Sequence, residues 1–253
     1  MINYIIIAAL FGLIIGSFLN CFIWRLYKDE TLSGRSYCPK CRKQISWYDN
    51  IPVLSFFILG GRCRRCKQAI SWQYPLVEII CAILFAVFFW KDAFSPHLSL
   101  VLVRDWLLIS SLIVIFVYDL RWQMIPMLIV WPMLGFIFIL NLLLGILWWK
   151  LFLFAAIGFL FFGLQYYFTK GKGIGSGDIW LGVLLGLIFP DFSLFFLTLF
   201  SAYVVGSIIS LFLLINKKKG WKSKVPLGPF LIIGAIITLI WGQQIIEWYL
   251  GLF

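Results

Sequence analysis

Two aspartates carry the first chemical signal. Asp119 closes the apolar run 98–118, and Asp178 completes Gly175-Ser176-Gly177-Asp178 at the start of another. A carboxylate beside hydrocarbon is costly, so a chain that keeps two of them has a use for them. In a medium of low dielectric constant two close carboxylates do not both ionise cheaply, and the pair shares one proton. The charged member can take a proton from water while the neutral one polarises a peptide carbonyl, and the titration belongs to the pair. Gly175 and Gly177 lack side chains, which permits a tight turn and leaves room for an extended segment beside Asp178. The plainer alternative is that both aspartates cap helices or pair with Lys or Arg.

The second signal is Cys38-Pro39-Lys40-Cys41 and Cys63-Arg64-Arg65-Cys66, two C-x2-C knuckles separated by 21 residues. This is close to a tetra-cysteine zinc spacing. Each knuckle aims two thiolates at one point, and two of them complete a tetrahedron around Zn2+. Flanking Lys and Arg would offset the charge of four thiolates. The segment 25–73 is too small to build much of a core, so the metal would supply much of its folding free energy. Disulfides or a redox C-x-x-C are the alternatives, disfavoured by a reducing cytoplasm and by the lack of a βαβ pattern. Cys21 and Cys81 lie in apolar runs and read as packing residues.

Elimination narrows the chemistry. His97 is the only histidine, which removes Ser-His-Asp and Cys-His arrangements and the two-histidine helix of zinc proteases. A zinc with four cysteines keeps no open position for catalysis. Glu78, three residues after Pro75, reads equally as a carboxylate in the first turn of its helix or as an active-site group. Arg104 and Asp105 read as an ion pair, and Asp49-Asn50-Ile51-Pro52 as a turn.

The elements that must position these groups are membrane helices. Of 253 residues 63% are hydrophobic and 12% charged, against roughly 25% charged in soluble domains. The expected fold is an all-α polytopic membrane protein of about eight transmembrane helices with a small zinc-binding cytoplasmic loop domain. The apolar segments are 4–24, 74–90, 98–118, 125–141, 151–168, 178–189, 192–215 and 225–241, and 178–189 is too short for an ordinary span. Domains follow as 1–24, a first transmembrane helix; 25–73, the tetra-cysteine loop; and 74–253, a membrane domain carrying the aspartates. The first helix has no basic n-region and no A-x-A-like site, and reads as an anchor rather than a cleaved signal.

Of the 21 Lys and Arg, 18 fall in four alternate connections: 25–73, around Arg121, around Lys170 and Lys172, and 216–224. The positive-inside rule places those connections in the cytoplasm and the N-terminus outside. The net charge of +11 is mostly this bias, not a nucleic-acid footprint. The same topology returns Asp178 to the side on which Asp119 ends its helix, so two carboxylates 59 positions apart arrive at one membrane depth. Rival classes are a proton-coupled membrane transporter, which would hold such aspartates at mid-bilayer, and a non-enzymatic scaffold that uses the zinc loop to hold an assembly factor.

These residues resemble the bacterial prepilin peptidases, the type IV leader peptidases/N-methyltransferases of the GxGD class of membrane aspartic proteases. The matching stretches are Gly16-Ser-Phe-Leu-Asn20 through Arg25, Arg35-Ser-Tyr-Cys38-Pro-Lys-Cys41, Asp49-Asn-Ile-Pro52, Gly61-Arg-Cys63-Arg-Arg-Cys66, Tyr74-Pro-Leu-Val-Glu78, Asp119 with Ile125-Pro126, Gly175-Ser-Gly-Asp178, and Pro226-Leu-Gly-Pro229. The resemblance implies that Asp119 and Asp178 are the catalytic pair. It implies cleavage of a short basic leader from type IV prepilin or pseudopilin precursors at the cytoplasmic face of the bacterial cytoplasmic membrane. It also implies methylation of the new N-terminal amine by S-adenosylmethionine, with the cysteine loop as the mark of the two-activity form. Glu78, Asp49 and Asn50 are the candidates for the methyl-transfer site. The chain departs from the family pattern at Trp180, Met127 and Cys81-Ala82. Expected partners are the precursors and membrane lipid, with no nucleic acid.

Overall fold

The computed structural model describes residues 1–215 and 226–251. Among these residues the long elements are all helices and there is no strand: α1 (Ile2–Lys28), α2 (Leu54–Ile58), α3 (Gln73–Asp92), α4 (Leu98–Trp122), α5 (Met127–Leu143), α6 (Trp148–Thr169), α7 (Ser176–Ile188), α8 (Phe192–Ile215) and α9 (Gly228–Leu250). A single 3-10 turn, Trp47–Asn50, precedes α2. The basic connection 216–224 lies outside the described residues. The chain divides into two compact units, Met1–Val114 and Ile115–Phe253, the division falling within α4.

All eight expected apolar segments are helices. Six are long and apolar enough to cross a membrane, while α5 and α7 are shorter. The count of about eight spans is therefore approximate. α7 ends where Pro190 drives Phe189 out of the helical region, to φ −119 and ψ 73. Its 13 residues cover only about 20 Å, yet Leu181, Leu184, Leu185 and Leu187 are buried. α5, α6 and α9 pack on it, so protein rather than lipid surrounds much of its backbone.

In the first unit α1 packs along α3. Gly12 and Gly16, one turn apart, make this approach: a Cβ on Gly12 would meet the Ala82 Cα at 2.7 Å, and one on Gly16 the Glu78 Cα at 2.7 Å. Small residues at i and i+4 are how helices approach closely where no hydrophobic effect drives them together. Cys81 is fully buried in this seam, which gives Cys81-Ala82 a packing role. Phe85 stacks on Trp106 of α4 at 4.8 Å. Arg104 Nε binds the buried Asp105 at 2.7 Å, as expected of that pair. In the second unit α6 and α7 meet at Gly158, Gly182 and Gly186, where any Cβ would collide with the facing helix. Asn141 of α5 donates to the Leu187 carbonyl at 2.7 Å.

Candidate functional site

The cysteine loop is two copies of one small device. In the first, the Cys38 N–H bonds the Lys43 carbonyl at 3.0 Å and the Arg42 N–H returns to Cys38 at 2.8 Å. In the second, Cys63 bonds Gln68 at 2.9 Å and Lys67 returns to Cys63 at 2.9 Å. Bridges Tyr37–Gln44 and Arg62–Ala69 close the two devices, and Arg42 and Lys67 take the same left-handed turn, at φ 55 and 59. The four sulfur atoms lie within 4.8 Å of one another, and Cys38 and Cys66 are 3.8 Å apart. A tetrahedron with arms of about 2.3 Å has edges of about 3.8 Å, so the donor set fits zinc. The backbone N–H of Cys66 points at the Cys63 sulfur and, with that of Arg65, outweighs burial and brings the Cys63 thiol down to about 7. Cys21 and Cys81 stand apart from this cluster.

The loop is held from both ends. Arg25, 4% exposed at the end of α1, donates to the carbonyls of Leu32, Ser33, Gly34 and Arg35. Arg64 of the second knuckle grips Asp49 with two nitrogens, Nε and Nη2, the shorter contact 2.7 Å. That guanidinium holds the Asp49 carboxyl below its ordinary value. Asp49 is thus engaged in tying the turn to the knuckle, and Asn50 is exposed.

Glu78 lies in the second turn of α3, not the first, because the helix already begins at Gln73. A helix-dipole role for it falls away with that placement. Its side chain is buried, and Oε2 accepts the Val53 N–H at 2.7 Å, with Ser17 of α1 as a second partner. Val53 has φ 60 and ψ −52, and the Leu54 N–H reaches over it to the Pro52 carbonyl at 2.6 Å. This is a γ-turn of the strained hand, centred on a β-branched residue, and such a turn persists only where its surroundings fix it. The Glu78 carboxylate is one such fixture.

In the second unit Asp119 and Asp178 are both buried, 5% and 7% exposed. Asp119 sits in the last turn of α4, which Gln123 closes in the left-handed region by donating its N–H to the Asp119 carbonyl at 2.8 Å. Asp178 sits in the first turn of α7. Its N–H donates to the Gly175 carbonyl at 3.1 Å and its Oδ2 accepts the Gly175 N–H at 2.9 Å, a reciprocal cap that fixes the carboxylate. The segment after Asp119 touches the turn before Asp178: a Cβ on Gly177 would lie 2.9 Å from the Ile125 Cβ. The charge of Asp178 acts directly on Asp119.

Gly228, the first residue of α9, is a member of this site that spacing does not reveal. Its N–H is directed at the Asp119 carboxylate, and a Cβ there would collide with Asp119 Oδ2. Pro229 presets the helix start. The only hint in the sequence is the Pro-Leu-Gly-Pro run. Trp180 lies in an aromatic cluster with Trp131 at 4.1 Å and Phe159 at 6.1 Å. Arg25 and Val53 are equally invisible in the sequence as contact residues, since each acts through backbone groups.

Residues 10–92 match the bacterial peptidase A24 N-terminal domain and residues 106–211 match the type IV leader peptidase family. The chain is 32% identical to the prepilin leader peptidase/N-methyltransferase of Pseudomonas putida, covering 96% of this chain and 92% of that one. It is 31% identical to the protein of the same name from Stutzerimonas stutzeri, over 98% and 94%, and 30% identical to that of Bacillus subtilis, over 95% and 96%. No solved structure matches it. With buried aspartates at two helix ends, a four-sulfur cluster ahead of them and this likeness along nearly its whole length, the chain belongs to the type IV leader peptidase family.

Proposed function

We propose that this chain removes the basic leader from type IV prepilin-like precursors and methylates the amine so released. The observation that carries the proposal is the pair of buried carboxylates, each fixed by a backbone N–H at a helix start, in a chain whose relatives bear the name prepilin leader peptidase/N-methyltransferase. Asp178 Oδ2 is used by the Gly175 turn, which leaves Oδ1 for water. The ionised member of the pair takes a proton from that water as its oxygen attacks the scissile carbonyl carbon. The protonated member gives its proton to the carbonyl oxygen. The resulting diol collapses as the nitrogen gains a proton and the C–N bond breaks, with the two carboxyls exchanging roles. Gly175 and Gly177 leave space for an extended substrate at this point.

In the same reading Cys38, Cys41, Cys63 and Cys66 hold a structural zinc that fixes the loop. S-adenosylmethionine, when bound, would supply the methyl group: the neutral amine would take it from the sulfonium as the S–CH3 bond breaks, leaving S-adenosylhomocysteine and releasing one proton. Glu78 is the buried carboxylate available to hold a positive charge there, either amine or sulfonium, with Asp49 and Asn50 shaping the turn beside it. The 18 biased cations support a cytoplasmic position for the loop and the aspartates, with the N-terminus outside.

The test is mass spectrometry of a precursor incubated with membranes holding each variant. Asp119→Asn or Asp178→Asn leaves the precursor uncut at normal protein level. Glu78→Gln cuts it but leaves the new amine largely unmethylated. Robust cutting by either aspartate variant removes that residue from the site, and full methylation by Glu78→Gln removes Glu78.

A further inference from the structure

We propose that α2 is an interfacial helix, and that its outer face, with Trp72, rests in the headgroup layer of an anionic bilayer. The proposal needs only that the chain is a membrane protein, and stands apart from the chemistry assigned to the aspartates. α2 has five residues, Leu54, Ser55, Phe56, Phe57 and Ile58. Phe56 turns inward and is buried, while Leu54, Phe57 and Ile58 are exposed, the last by 68%. Positions i, i+3 and i+4 share one face of a helix, so three large apolar side chains leave the loop in the same direction. A loop in open water has no reason to present them.

The position of Trp72 identifies what covers this face. Trp72 is the residue immediately before α3, one of the membrane-crossing helices, and is therefore fixed near the lipid boundary. It is itself 61% exposed, and its ring lies 6.4 Å from that of Phe57 and 4.9 Å from that of Phe56. The apolar face of α2 thus adjoins a tryptophan held at interfacial depth, which is where aromatic side chains concentrate in membrane proteins. The loop is also tethered to the bilayer at both ends, by α1 and α3.

Charge favours lipid over other occupants. The stretch of loop that follows α2 carries Arg62, Arg65 and Lys67, all three exposed. Such a cluster beside an apolar face is drawn to anionic headgroups and repels a basic leader peptide. Arg64 is not part of this set, because Asp49 holds it.

The experiment uses the full chain in nanodiscs of equal phosphatidylglycerol and phosphatidylcholine. The photoreactive residue p-benzoylphenylalanine replaces Phe57 in one preparation and Ile58 in another, with Phe11 on the exposed side of α1 as the control for lipid capture. The proposal expects intact-mass adducts of one phospholipid at both α2 positions, with phosphatidylglycerol adducts outnumbering phosphatidylcholine adducts by about five to one. Arg62→Gln, Arg65→Gln and Lys67→Gln together should reduce that enrichment to near parity while the adduct itself persists. Capture of lipid at Phe11 with none at Phe57 and Ile58 overturns the proposal. So does capture of polypeptide in place of lipid, which would mark the face as a contact with substrate or with a second copy. Equal capture of the two lipids by the unmodified loop overturns its anionic part.

Discussion

The cysteine loop and the aspartate site are assembled by opposite means. Each cysteine knuckle is closed by backbone bonds spanning four to nine positions, such as Arg42 to Cys38 and Ile45 to Ser36. The same plan is then repeated for Cys63. The aspartate site draws Asp119, Asp178 and Gly228 from three helices whose starts and ends are far apart in the chain. Local construction leaves a spacing that can be read directly, whereas assembly by helix packing leaves only isolated residues. The two regions should also fail differently, the loop by losing its metal and the aspartate site by losing alignment.

The largest separation is expected from the cysteines. Cys38→Ser with Cys63→Ser should reduce metal content far below one zinc per chain, since removing two thiolates opens the tetrahedron. Methylation should fall with it by about 10- to 100-fold, on the order of the loss when a metal-organised site loses its support, while precursor cleavage persists. Elemental analysis and product mass spectrometry on one preparation read both. Stoichiometric zinc in this variant would dismantle the assignment.

Gly228→Ala should do the converse. Its Cβ must displace the Asp119 carboxylate, and a displacement of about 1 Å at a reacting group costs on the order of 100-fold in rate. Cleavage should drop by about that factor with zinc content unchanged. Full cleavage would show that Gly228 does not hold Asp119.

A smaller effect is expected from Val53→Gly. Glycine accepts φ 60 without strain, so the turn and its bond to Glu78 survive, and stability should rise or fall by no more than about 1 kcal/mol. Val53→Pro removes the N–H that Glu78 accepts and forbids the positive φ. Methylation should then fall clearly more than cleavage, measured on the same product. Equal loss of both activities would remove the turn from the methyl-transfer site.

The smallest expected effect concerns the two knuckles themselves. Arg42 and Lys67 occupy left-handed positions at φ 55 and 59, where a side chain costs roughly 1–2 kcal/mol. Arg42→Gly or Lys67→Gly should therefore keep zinc against a chelator at least as well as the unaltered protein, by up to a few-fold. Faster metal loss would show that the side chain, rather than the backbone, supports the knuckle.

Much of this is legible in the sequence because the signals are periodic or locally spaced. The eight apolar runs are eight helices, the C-x2-C pairs form one cluster, and the Gly175-Ser-Gly-Asp178 run is a helix start with its own cap. Contacts made by backbone groups are not legible. Nothing in the spacing says that Arg25 collects four carbonyls, that Val53 offers its N–H to Glu78, or that Gly228 faces Asp119. The place of Glu78 misleads for a related reason: Pro75 suggests a helix start, but Gln73 and Tyr74 already lie in the helix. The shortness of α7 is visible in the chain, yet its tolerance depends on burial by α5, α6 and α9, which no local pattern encodes.

If the two buried aspartates cut and do nothing else, cleavage and methylation must come apart when both are replaced. The Asp119→Asn, Asp178→Asn double variant is given two substrates with ample S-adenosylmethionine: an intact precursor and a pilin already shorn of its leader. The expected outcome is an uncut precursor and a methylated N-terminus on the pre-cut pilin, in membranes where the variant retains its zinc. A precursor still processed at the normal rate would contradict the assignment of the aspartates.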